Sequence, residues 1–383
     1  MKTLIKNVKI IQENEILFNH QVLLNDKLIV KILPDSQTLD YDELIDGQGL
    51  YLAPGFIDIH NHGNSNCDVM DGKTDALETM AKFHISNGVT SFCGATMTNP
   101  VEKINKALKT ASEYIDTQSE QYSRMLGIYL EGPFFNSVKK GAQPGEDIKL
   151  PDISILKNFI DSCNNKIIVV ALAPELEGAK EMIDYCVSND IKVALGHTNA
   201  NYEDAQKGID SGATLCTHLY NGMRAFTHRE PGVIGACLTN DSLRAEMICD
   251  GIHIHKTAVD MAIRCKTTEG IVLISDAMRA AGLPDGQSEL GGQIVNCING
   301  EARLLDGSLA GSTLNLNKAV RNMIKLYNRD IREAVNMASI NPARAIGKEK
   351  IIGSIEEGKL ADLQLFDEEI NIKHVIRDGI TVI

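Results

Sequence analysis

Ala53-Pro54-Gly55-Phe56-Ile57-Asp58-Ile59-His60-Asn61-His62 is the stretch at which the texture of the chain changes. Before it, short β-branched runs at 4–11, 21–24 and 28–32 are broken by Asn, Asp and Gly, a pattern of small antiparallel strands. From Phe56 onward, near-continuous apolar runs alternate with segments of helical period. Eight strand candidates result: 56–62, 90–96, 125–131, 166–173, 192–197, 214–219, 244–250 and 270–276. Runs without polar–apolar alternation are what parallel strands covered on both faces require. Helices fit 74–87, 101–117, 151–163, 175–189, 201–211 and 255–267. In the first of these, Leu77, Met80, Ala81, His84 and Ile85 share one face, and Gly88 stands where the helix stops. Eight strand–helix units predict an α/β fold, a TIM (β/α)8 barrel. A doubly wound sheet is the alternative, but no GxGxxG turn follows a strand, so dinucleotide binding lacks its signature.

Working outward, helices near 314–327 and 330–339 give way to short strands at 353–355, 361–366 and 374–376. The β-rich ends, 1–52 and 347–383, are expected to pair into one small β-sandwich domain, discontinuous in sequence, beside a barrel at 53–346. The Gly-rich segment 282–292 lacks a Walker lysine and serine and reads as a mobile lid or loop, not a phosphate cradle.

The 383 residues carry 38 Lys+Arg against 51 Asp+Glu, a net charge of −13, with no Trp and 5% aromatic residues. That argues against a nucleic-acid partner, which needs clustered cations and stacking platforms. It does not exclude a small anion bound by one placed cation. The longest apolar run, 167–173, is far short of the roughly 20 residues of a membrane span. The opening MKTLIKNVKI lacks the apolar core of a signal peptide. Nine scattered Cys without a CxxC read as core thiols in a reducing compartment, so a cytoplasmic location is expected.

Polar residues concentrate at the predicted C-terminal ends of the strands, where barrel active sites are built. His60 and His62 share a face at the end of the first strand; Glu131 ends the third, His197 the fifth, His218 the sixth and Asp276 the eighth. Any one of these alone reads as an ordinary hydrogen-bonding residue or helix cap. Four His and two carboxylates at equivalent ends of five strands predict a shared mouth. Imidazole and carboxylate donors suit Zn, Fe or Mn, and a bound ion lowers the pKa of its water. Glu131, His197 and His218 leave the open position a catalytic ion needs, and His60 and His62 could hold a second ion with Glu131 as bridge. A serine or cysteine nucleophile lacks its local signature.

At these residues the chain resembles the amidohydrolase superfamily, and within it the N-acetylglucosamine-6-phosphate deacetylase family. The matching stretches include 54–63, EGPFF at 131–135, GHTNA at 196–200, THLYNGM at 217–223, HREPGVIG at 228–235 and SDAMRAAGLPDG at 275–286. The resemblance spans roughly 50–365. It implies Glu131, His197 and His218 as ligands of the main metal and Asp276 as catalytic acid/base. It further implies sugar contacts from Ala142, Asn221, Gly222, His253 and the backbone of Leu309, Ala310 and Gly311, and phosphate binding by Arg229. Gln143 and Gly222 stand where they could tune the sugar contact. His60-x-His62 matches the family members with two metals; others carry Gln-x-Asn and one. A homodimer acting on a phosphorylated N-acetyl amino sugar is implied, with one or two divalent ions per subunit. The rivals are N-acetylgalactosamine-6-phosphate deacetylation, another amidohydrolase reaction such as cyclic-amide hydrolysis, and a non-catalytic barrel serving as an interaction protein.

Overall fold

The computed structural model describes residues 1–383. Eight parallel strands stand side by side: β1 (Phe56–Asn61), β2 (Val89–Ala95), β3 (Arg124–Glu131), β4 (Ile167–Leu172), β5 (Lys192–Leu195), β6 (Leu215–Cys216), β7 (Arg244–Met247) and β8 (Ile271–Leu273). Each is followed by a helix: α1 (Thr74–Ser86), α2 (Val101–Thr117), α3 (Ile153–Ser162), α4 (Ala179–Ser188), α5 (Tyr202–Asp210), α6 (Gly232–Thr239), α7 (Lys256–Lys266) and α8 (Leu316–Lys325). Two more, α9 (Ile331–Met337) and α10 (Ile340–Ala345), follow. No ladder joins β1 to β8, but Asp276 N donates to His60 O and His62 N to Ala277 O, both at 3.0 Å. The seam of the nearly closed barrel therefore lies among candidate site residues. The expected barrel is borne out.

The strands form where they do because their residues are apolar on both faces: all seven residues of β2 are buried. Helix α1 turns Leu77, Met80, Ala81, His84 and Ile85 onto the barrel, as its period predicts. His84 is a core residue, stacked on Phe92 at 4.6 Å, and burial lowers its pKa to about 3. Helix α6 escapes periodicity because seven of its eight residues are buried; a helix apolar all round has no polar stripe to betray it.

The ends pair as expected. Strands Lys2–Ile11, Ile16–Asn25, Leu28–Pro34, Glu43–Asp46, Tyr51–Pro54, Leu363–Phe366, Ile372–Arg377 and Ile380–Thr381 form one eight-stranded sheet. Ile29 N to Lys359 O (2.9 Å) and Ala361 N to Lys27 O (2.8 Å) draw its far edge back on itself, around a separate core of 12 residues. The segment 353–355 forms no strand. Arg124 at the start of β3 pins this sheet to the barrel through Asp362 and Asp378, each at 2.7 Å and largely buried. Such a triad holds only while complete, since losing one member leaves uncompensated buried charge.

Within 282–292, expected as a mobile lid or loop, residues 286–290 form a strand while the rest is turn or loop. Gly286–Leu290, Gln293–Ile298 and Glu301–Leu304 form a three-stranded antiparallel meander. Its turns are Gly291-Gly292 and Asn299-Gly300, all with positive φ, as a two-residue type I′ turn demands. Gln293 Nε2 donates to Ala142 O at 2.5 Å, fastening the meander to the loop after β3.

Candidate active site

Glu131 closes β3 with its carboxylate in the middle of the barrel mouth. Oε1 lies 3.3 Å from His197 Nε2 and 3.2 Å from His218 Nε2. Oε2 lies 3.3 Å from His62 Nε2, and His62 Nε2 is in turn 3.3 Å from Asp276 Oδ1. His60 Nε2 stands 3.5 Å from Glu131 and 3.7 Å from Asp276. All six side chains are buried. They form two adjoining groups, Glu131–His197–His218 and His60–His62–Asp276.

Three of the six have left their ladders: His197, His218 and Asp276 follow β5, β6 and β8 at φ of 46°, 30° and 47°. That left-handed region is costly for a non-glycine residue and persists only where its surroundings enforce it. Here the barrel seam and the imidazole anchors enforce it. The predicted strands overrun the observed ones at these positions for this reason. Gly222, at φ 62°, packs so close to His197 that a Cβ would meet Nδ1 at 3.0 Å.

The donor chemistry fits a cation. His197 Nδ1 faces the carbonyl of Lys139 (3.0 Å) and His218 Nδ1 that of Asn221 (3.1 Å). A carbonyl only accepts, so Nδ1 carries the proton and Nε2 presents a lone pair. The two Nε2 atoms are 3.2 Å apart, lone pair facing lone pair beside a carboxylate. His60 Nε2 and His62 Nδ1 have no hydrogen-bond partner. Burial opposes charge on His62, yet the Asp276 and Glu131 carboxylates push its pKa up to about 10. They raise His60 and His218 likewise, so the bare cluster collects protons where divalent ions would stand.

The cluster floors a cavity of about 230 Å³. Ala142, Gln143, Asn221, Gly222, His253, Leu309 and Gly311, the residues for which the resemblance implies sugar contacts, line it. Ala310 does not: it is fully buried, its N–H bound to Ala302 O. Arg229 is not brought there either; it is exposed in the loop before α6 and pairs with nothing in its own chain. Met97, Ile248 and Leu290 line the cavity without having been singled out, and Leu290 does so because of the meander. His253 is oriented by Asp250, whose carboxylate meets Nδ1 at 2.7 Å and leaves Nε2 for the cavity.

Gln143 has a second commitment. Its Nε2 donates to Glu131 Oε2 at 2.6 Å while its Oε1 accepts from Thr98 N at 2.8 Å. Gln143→Ala is therefore expected to lower kcat about 10–100-fold through a loosened Glu131, with KM nearly unchanged. Initial-rate kinetics decide: a rise in KM at constant kcat would mean a sugar contact instead.

A profile of the amidohydrolase family matches residues 51–382. An N-acetylglucosamine-6-phosphate deacetylase of Lysinibacillus sphaericus is 36% identical over 379 residues, covering 99% of this chain and 97% of that protein. An N-acetylgalactosamine-6-phosphate deacetylase of Escherichia coli O157:H7 is 38% identical over 373 residues, 97% of either chain. Among solved structures, the N-acetylglucosamine-6-phosphate deacetylase of Pasteurella multocida superposes with a TM-score of 0.94 at 29% identity, covering 100% of this chain and 99% of that one. With its barrel, its converging imidazoles and these relatives, the chain belongs to the amidohydrolase family.

Proposed function

We propose that this enzyme hydrolyses the N-acetyl group of N-acetylglucosamine 6-phosphate, releasing acetate and glucosamine 6-phosphate. The observation that carries the reading is the convergence of four imidazoles and Asp276 on the Glu131 carboxylate at the floor of a cavity sized for one small molecule. Glu131, His197 and His218 would hold one divalent ion, and His60, His62 and Asp276 a second; Zn, Fe or Mn suits these donors. When bound, such an ion supplies Lewis acidity and a lowered pKa for water. Asp276 takes the proton of the attacking water and returns it to the departing amine nitrogen as the C–N bond breaks. His253, its ring fixed by Asp250 through Nδ1, turns Nε2 toward the acetamide group. Asn221, Gly222 and the backbone at Leu309 and Gly311 seat the sugar ring.

Arg229 is assigned the 6-phosphate, whose oxygens a guanidinium meets with paired donors. Its exposure, free of any ion pair in its own chain, supports a phosphate site shared across a homodimer. Seven of nine cysteines buried as free thiols fit a cytoplasmic location. The N-acetylgalactosamine epimer is the second reading, favoured by the E. coli relative at similar identity. The experiment is acetate release from the two 6-phospho epimers and from N-acetylglucosamine without phosphate, after reconstitution with each ion. The expected result is a preference for the phosphorylated gluco epimer, with unphosphorylated sugar losing at least about tenfold in kcat/KM. Equal rates with and without phosphate would overturn the substrate assignment.

A further inference from the structure

Behind His60, on β7, lies a carboxylate that the chemistry above leaves unused. Glu246 is fully buried. Its Oε2 is 3.1 Å from His60 Nδ1 and accepts from Tyr129 OH at 3.3 Å; its Oε1 has no partner. His60 is the only basic side chain within ion-pair distance of it. Tyr129 OH also lies 3.0 Å from Thr217 Oγ1, and its ring stacks on His60 at 4.3 Å.

The backing of the four imidazoles is unequal. His197 and His218 rest their Nδ1 atoms on neutral carbonyls, and His62 Nδ1 has no partner. His60 alone leans on a carboxylate. A carboxylate behind an imidazole fixes the Nδ1–H tautomer, orients the ring and makes the far nitrogen a stronger donor. That far nitrogen is His60 Nε2, unpartnered and turned toward Asp276 and Glu131.

We propose that Glu246 is a positioning residue which controls the second cation position: by holding His60 from below it makes His60, His62 and Asp276 a site for a divalent ion that Glu246 never touches. The inference rests on the reading that the cluster binds divalent ions. It predicts that the two positions respond differently to one substitution. Glu246→Gln keeps the shape but removes the charge behind His60, whereas His197 and His218 keep their own carbonyl partners.

The test uses the full chain, stripped with chelator and titrated with Mn²⁺ by calorimetry and electron paramagnetic resonance. The wild type is expected to take up two ions and show an exchange-coupled pair. Glu246→Gln should bind the first ion unchanged and the second about 10–100-fold more weakly, with the spectrum of isolated Mn²⁺. Tyr129→Phe, which retains the ring stack and the carboxylate behind His60, should keep both ions, and the unchanged first ion of Glu246→Gln reports that this variant is folded. Two ions bound normally by Glu246→Gln, or loss of the second from Tyr129→Phe, overturns the proposal, the latter because Glu246 would then act through Tyr129. A wild type that binds one ion defeats this inference alone; one that binds none defeats the catalytic reading as well.

Discussion

Glu131→Gln is expected to strip the enzyme of bound ion and of turnover together. Every imidazole of the cluster is arranged around this carboxylate, at 3.2–3.5 Å. An amide of the same shape supplies no charge and puts an N–H where one oxygen stood. Breaking a buried charge pair by removing one partner costs about 3–5 kcal/mol. At 1.4 kcal/mol per decade that is a loss of about 10²–10⁴-fold in cation affinity. Metal content after dialysis against trace Zn²⁺, read beside acetate release, checks this. A variant that holds stoichiometric ion and turns over normally would remove Glu131 from the centre of the site. The pH dependence has a definite sign. With His60, His62 and His218 pushed up by their carboxylates, an incoming ion displaces protons, so cation affinity falls as pH falls. In Glu131→Gln the imidazoles lose a cause of their raised pKa, so fewer protons are released per ion bound.

The barrel and the cluster at its mouth are legible in the sequence because both follow from periodic signals. Strands buried on both faces leave unbroken apolar runs, and a barrel collects whatever stands at their C-terminal ends, so His60, His62, Glu131, His197, His218 and Asp276 could be grouped before their distances were known. What escaped lacks a local signal. Glu246 sits in the short strand Arg244–Met247 and meets His60 across 186 residues of sequence. Nothing around it distinguishes a solvated glutamate from a buried one. Gln143 could be placed at the cavity but not bonded to Glu131, because that bond depends on how the loop after β3 folds back. The meander did have a signal: Gly291-Gly292 and Asn299-Gly300 are type I′ dipeptides, hidden because glycine-rich sequence reads as loop. Arg229 marks the opposite limit. Its proposed role rests on resemblance, and a single chain leaves it on the surface.

Asp276→Asn should lower kcat by about 10²–10⁴-fold, the usual contribution of a positioned acid–base group, while the ion held by Glu131, His197 and His218 remains. The backbone at Asp276 is gripped from both sides: its N–H by His60 O at 3.0 Å, its carbonyl by Ser312 N at 2.8 Å. At φ 47° its carboxylate stands in the cluster, 3.3 Å from His62 Nε2. Asparagine fits that space but can neither take a proton from water nor return one to nitrogen. The loss should therefore fall on kcat, with KM nearly constant, since the proposed substrate contacts lie with Asn221, Gly222 and His253. The lost half-reaction can be separated with an N-trifluoroacetyl substrate, whose carbonyl is attacked more readily while its leaving amine is the same. If water activation limits the variant, its deficit shrinks on that substrate; if amine protonation limits, the deficit stays whole. Wild-type kcat in Asp276→Asn with the natural acetamide would transfer the proton-handling role to another group at the barrel mouth, for which His253, already oriented by Asp250, is the only candidate within the cavity outside the ligand cluster.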